Sequence, residues 1–156
     1  MIEVLRTIAG WLIAAMITVT AIPAHSQLAS FDKSELAIYT GSKRHSFQIE
    51  LAITGEQMAQ GLMFRRQMAA DAGMLFLHPS ERELSMWMKN TYLPLDMLFI
   101  AADGRITRIA ARTVPHSLAT ISSEGPALAV LELNAGTAER LGIKPGDRVE
   151  HAAFKR

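Results

Sequence analysis

Between Ser46 and Ile53 the chain alternates: Phe47, Ile49, Leu51 and Ile53 are apolar, and Gln48, Glu50 and Ala52 fall between them. That period of two predicts a half-buried strand. Before it, Gln27 to Ser34 reads as a polar lead-in, Glu35 to Thr40 as a strand and Gly41 to Arg44 as a turn. After it, Thr54 with Gln57 three residues on forms a capping box, predicting a short helix from Gly55 to about Leu62 with Met58 and Leu62 on its buried side. Gln67 to Ala72 reads as a surface loop, Gly73 to Leu77 as a short apolar strand and His78 to Glu83 as a connection.

The densest pattern is Leu84 to Ile100, LSMWMKNTYLPLDMLFI. Read as extended chain, Trp87 and Lys89 share one face, and Met86, Met88 and Asn90 share the other. Pro94 interrupts the ladder and a second strand starts at Leu95. Asp103-Gly104 is a two-residue hairpin signal, and its register sets Ile100 opposite Thr107 and Leu98 opposite Ile109. Asp96 then continues a face that is otherwise apolar. Arg112 to Pro126 is a long loop, and Ala127 to Leu133 a buried strand with Glu132 on the Val130 face. Thr137 to Leu141 is a helical turn stopped by Gly142, and Lys144 to Asp147 turns the chain into a last strand around Arg148 to His151. The expected fold is mainly β: a compact barrel or sandwich of short, mostly antiparallel strands with two short helices.

The N-terminus changes the picture. Arg6 precedes an apolar run from Ile8 to Ile22, and Ala24-His25-Ser26 follows Pro23. The run is shorter than the ~20 residues of a bilayer-spanning helix. Residues 1–26 are therefore expected to be a secretory signal, with an uncleaved inner-membrane anchor as the alternative. Residues 27–45 are then a lead-in and first strand, and 46–154 the main β domain. Export, with the periplasm as destination, is the expectation. Without Arg6 and Glu3 the chain keeps 15 basic and 14 acidic side chains. That balance argues against a nucleic-acid partner. There is no cysteine, hence no disulfide and no thiolate site.

Several blocks carry a resemblance: Gly61-Leu62-Met63-Phe64-Arg65, Gly73-Met74-Leu75-Phe76, Trp87-Met88-Lys89-Asn90-Thr91 and Pro94-Leu95-Asp96. Asp103-Gly104, Val130-Leu131-Glu132-Leu133, Ala135-Gly136 and Gly146-Asp147-Arg148-Val149 follow in order. In this order the blocks resemble DUF192 (UPF0127), a prokaryotic family of unknown function, and the chain looks like an exported bacterial member. Met86 departs from it, since an aromatic residue commonly precedes the Trp. The resemblance implies a β-rich domain, often behind a signal or membrane segment, and no assigned activity. Its recurrent polar residues fall here on Arg65, Lys89, Asn90, Asp96 and Glu132.

Asp96 and Glu132 also stand out unaided, as carboxylates on apolar strands. One reading makes them parts of an internal network, Asp96 paired with Lys89 or Arg65, that fixes strand register. A second places Arg65, Trp87, Lys89, Asn90, Asp96 and Glu132 at a rim that binds a small polar or anionic, sugar-like ligand without catalysis. A third makes Asp96 and Glu132 the acid/base pair of a hydrolase-type enzyme. A fourth is a structural or protein-interaction domain of the cell envelope. No cofactor is expected. His45, His78, His116 and His151 lack metal-ligand spacing and read as surface residues, and Met86 with Met88 reads as core filling before a soft-metal site. Membrane contact is expected only through an uncleaved N-terminal run.

Overall fold

The computed structural model describes residues 28–154, so the expected signal segment lies outside the described residues. Strands β1 (Asp32–Thr40) and β2 (Lys43–Ala52) form a hairpin about Gly41-Ser42, in register from Thr40↔Lys43 to Asp32↔Leu51. β1 thus starts within the stretch expected to be a loose lead-in. The capping box forms: the Thr54 hydroxyl accepts from the Gln57 N–H, and the Gln57 amide oxygen accepts from the Thr54 N–H. It starts helix α1 (Gly55–Gln60). Gly61, at φ +48°, ends that helix where a Cβ would lie 2.8 Å from the Phe76 ring.

α1 and the following loop carry the chain across, so β3 (Ala72–Met86) pairs with β2 in parallel. The other strands are β4 (Leu95–Ile100), β5 (Ile106–Ala110), β6 (Ile121–Asn134) and β7 (Arg148–Glu150), with α2 (Thr137–Leu141) between the last two. One sheet results, in the order β5-β4-β6-β3-β2-β1-β7, curled into a half-barrel. Its two outermost strands approach at one end. There Arg105 bridges Arg148, and the Val149 N–H donates to the Gly104 carbonyl at 2.8 Å. Gly104 is indispensable at this seam, since at φ +83° an added Cβ would lie 2.6 Å from the Val149 carbonyl oxygen.

Both faces of the sheet are covered at its centre. Leu98 and Ile100 join Leu36, Ile38, Phe47, Ile49, Leu75 and Leu131 inside the curl. Leu95, Met97 and Phe99 join Leu62, Met74, Phe76, Met88 and Val130 on the other side. β4 is consequently buried at every position, which explains why LDMLFI shows no apolar–polar alternation apart from its one carboxylate. A fully buried side chain such as Phe99 contributes on the order of 1.5–3 kcal/mol.

Three expectations are corrected. His78 to Glu83 is not a connection: β3 runs unbroken to Met86 against β6, with register shifts between Leu77 and Arg82 and between Glu83 and Ser85. The irregular ladder accommodates Pro79 and sends the polar residues outward, which erases the strand's period in the sequence. β6 begins at Ile121, inside the stretch read as loop. Ile100 pairs with Ile106 rather than Thr107, because the ladder shifts after Phe99↔Arg108, while Leu98↔Ile109 stands as expected.

Candidate functional site

Glu132 sits near the end of β6, opposite Met74 of β3 and Met97 of β4, on the face that carries Val130. It is 4% exposed. Burial alone pushes its carboxyl up to about 8, because no cation and no hydrogen-bond donor among the described residues stands by to favour the charge. The group forms part of the floor of a cavity of about 130 Å³ between α1, β3 and the turn after β3. Met58 and Leu62 contribute from α1 and its end, Phe76, His78 and Met86 from β3, and Trp87 and Thr91 from the turn. The site is therefore an apolar recess, lined by thioethers and aromatic rings, with an unpaired and mostly neutral carboxyl at its base.

His78 has the opposite problem. Partial burial lowers its pKa first, and nearby Arg82 lowers it further. The Arg82 guanidinium lies 3.2 Å from His78 Nδ1. A guanidinium can only donate, so Nδ1 accepts and the neutral ring keeps its proton on Nε2. His78 thus brings to the cavity wall a neutral imidazole whose Nε2–H can donate.

Trp87 is 48% exposed, and Lys89 Nζ lies 5.0 Å from its ring centroid, a cation–π contact. Asn90 takes φ +53°, a conformation that Asn tolerates better than most residues. Its carbonyl accepts the Phe64 N–H at 2.9 Å, and its side-chain amide points at Met63 Sδ, 3.9 Å away. Of the predicted site residues, Trp87 and Glu132 thus line the recess, while Lys89 and Asn90 only touch its lining, at Trp87 and Met63.

The DUF192 family, described as Uncharacterized ACR, is matched over residues 37–151. The chain belongs to the DUF192 family. A crystal structure of a Sinorhizobium meliloti 1021 protein, described only provisionally as a transcription regulator, shares 54% identity over 81% of this chain and 98% of its own, with a TM-score of 0.79. Another, of a Novosphingobium aromaticivorans DSM 12444 protein of unknown function, shares 41% identity over 92% of this chain and 100% of its own, with a TM-score of 0.75. No curated protein is matched.

Within this DUF192 domain the remaining two predicted site residues lie elsewhere. Arg65 pairs with Glu50 and lies over the Phe31 ring, 5.5 Å from its centroid. Asp96 is completely buried on the inner face, beside Leu98. Its Oδ1 accepts the Arg112 N–H at 2.9 Å, and its Oδ2 accepts the Ala138 N–H, also at 2.9 Å, in the first turn of α2. The expected partners Lys89 and Arg65 are replaced by two backbone amides, so Asp96 ties a loop and a helix to β4.

The acid/base reading is corrected by the same register. Asp96 pairs with Leu133 and Met97 with Glu132, so the two carboxyls point to opposite faces of one sheet. Nothing small can touch both. The Met86/Met88 pair also divides: Met86 lines the recess, while Met88 is fully buried and accepts the Thr113 hydroxyl at 3.1 Å. Sequence reasoning missed Met58, Met63, His78 and Thr91 as lining residues. The capping box located α1, but nothing in the sequence said that α1 would lie over Glu132.

Proposed function

We propose that this DUF192 domain is a non-catalytic module that takes a small, neutral, polar ligand into the recess above Glu132. The supporting observation is the unpaired buried carboxyl that lines that recess. A neutral carboxyl both donates and accepts a hydrogen bond, so it suits a hydroxyl or carbonyl, as on a sugar-like molecule. An anion beside it would have no cation to meet at the floor. Trp87 and the methionines supply the apolar contact that such pockets use for affinity, with a few polar groups fixing orientation.

A thermal-shift screen of sugars, cell-wall fragments, amides and organic anions tests this. A ligand at about 100 times its Kd adds roughly 2.7 kcal/mol of stability. The shift should come from neutral polar compounds and disappear in Glu132→Leu. Hits confined to anions, or shifts unchanged in that variant, would sink the reading. The provisional regulator description of the Sinorhizobium protein lends no weight here: charge is balanced, and neither helix among the described residues exceeds six residues, too short for a groove-reading helix.

We also infer export, from Arg6, the apolar run and Ala24-His25-Ser26. Mass spectrometry of the chain from its native envelope should then find a new N-terminus between Ala24 and Leu28. Intact Met1 in the membrane fraction would favour the anchor.

A further inference from the structure

The mouth of the recess belongs to a wider surface. Three segments meet there, joined through their backbones. The Phe64 N–H donates to the Asn90 carbonyl at 2.9 Å, Met88 N–H to Ser117 at 3.0 Å, and His116 N–H to Thr91 at 3.2 Å. This surface displays Phe64, Trp87, Tyr92, Val114 and Leu118, all between 41% and 68% exposed. Such a collection of large apolar side chains on loops is unusual for a surface that faces only water.

Its charge is one-sided. Residues 61–70, 85–95 and 111–123 contain no Asp or Glu. Arg65 and Arg112 are ion-paired with Glu50 and Glu139. Arg66 and Lys89 make no ion pair among the described residues, and lie instead over Tyr92 and Trp87, at 4.8 Å and 5.0 Å from the ring centroids. Aromatic rings carrying free cations, amid exposed aliphatic tips, match the chemistry of a lipid headgroup layer.

The start of the described chain adds a second, independent argument. The Ala29 N–H donates to Gln60 Oε1 at 2.7 Å, and the Gln57 side chain donates to the Ser30 carbonyl at 2.8 Å. The chain therefore enters the fold against α1, whose residues Met58 and Gln60 also line the recess. In sequence the apolar run ends at Ile22, six residues before Leu28. Six residues reach at most about 20 Å. Before the cleavage inferred above, a chain held in a bilayer by that run would keep this part of the domain close to the lipid.

We propose that the face bearing Phe64, Trp87, Tyr92, Val114 and Leu118 docks on an anionic lipid bilayer, with Arg66 and Lys89 meeting lipid phosphates. This extends membrane contact from the N-terminal run to the folded domain, and does not depend on a ligand in the recess. An acidic protein could satisfy the same cations, but it would leave unexplained why the described chain begins against α1, beside this face.

The test uses the full chain carrying Trp11→Phe, which leaves Trp87 as the sole tryptophan. It is mixed with vesicles of phosphatidylcholine alone or with phosphatidylglycerol added, and Trp87 is read by emission maximum and by quenching with neutral acrylamide. Docking predicts a blue shift and a several-fold loss of quenching when phosphatidylglycerol is present, reversed by high salt. Each basic side chain near an anionic surface favours docking roughly fivefold. Arg66→Glu with Lys89→Glu should therefore return Trp87 to solvent although the N-terminal run still holds the chain to the vesicle. Val114→Ser with Leu118→Ser, at exposed loop positions, should weaken protection and keep its salt dependence. Equal quenching in both lipids, or protection that survives the double charge reversal, would overturn the proposal. Capture of an acidic protein by this face without lipid-dependent protection would do the same.

Discussion

Asp96 and Glu132 lie on adjacent strands within one register step, both buried, and they meet opposite fates. Asp96 points into the curl and spends both carboxylate oxygens on backbone N–H groups. Glu132 points the other way, into a recess where no described residue answers it. A carboxylate bonded by buried amides is part of the fold. One left without a partner, at the base of a cavity, burdens the fold and is available to something else. Burial is common to both, so what separates the two carboxyls is whether the chain itself supplies the donors.

The largest effect should come from emptying the satisfied site. Asp96→Ala leaves the Arg112 and Ala138 N–H groups without acceptors, at roughly 1–3 kcal/mol each, and should destabilise by about 2–6 kcal/mol in denaturant unfolding. A loss under about 1 kcal/mol would mean that Asp96 does not hold α2.

Glu132→Gln should act in the opposite direction above mildly acidic pH. The folded state keeps a proton on Glu132 up to about 8, whereas the unfolded chain releases it near 4.5. More protons are bound in the folded state, so this contribution to stability is complete below pH 4.5 and is lost as pH rises to about 8. The slope is about 1.4 kcal/mol per pH unit. The variant should lack that slope and exceed the wild type by about 3 kcal/mol at pH 7. Asp96→Asn should keep the slope. Identical pH profiles for the wild type and Glu132→Gln would show that Glu132 finds a partner in solution.

The smallest effect separates the two sites from each other. Asp96→Asn with Glu132→Gln should add to within about 0.5 kcal/mol, because the two side chains share no partner. Lys89→Met should change stability by less than about 0.5 kcal/mol and should not restore Asp96→Asn, since Lys89 sits on the Trp87 ring and makes no ion pair among the described residues. Strong coupling in either pair would revive a shared network.

Both carboxyls were visible in the sequence as polar residues on apolar strands, and the β-rich fold followed from strand period, the capping box and the Asp-Gly turn. Their partners were not visible. Asp96 is held by the amides of Arg112 and Ala138, and a backbone N–H carries no residue identity that could be searched for. The recess was hidden because α1 and β3 meet over Glu132 only through the crossover that makes β2 and β3 parallel. His78 escaped because a shifted ladder made one long strand look like two elements and a connection.

The seam at Gly104 bears on how copies of this protein meet one another. β5 and β7 end the sheet, and each has a row of backbone groups that a neighbouring molecule could extend into a continuous ladder. The Gly104–Val149 bond and the Arg105–Arg148 bridge occupy part of both rows with each other. A side chain at position 104 would force the seam apart and free those groups for intermolecular pairing. The variant should then show itself first as aggregation on refolding. That one glycine helps keep the sheet from growing beyond a single molecule.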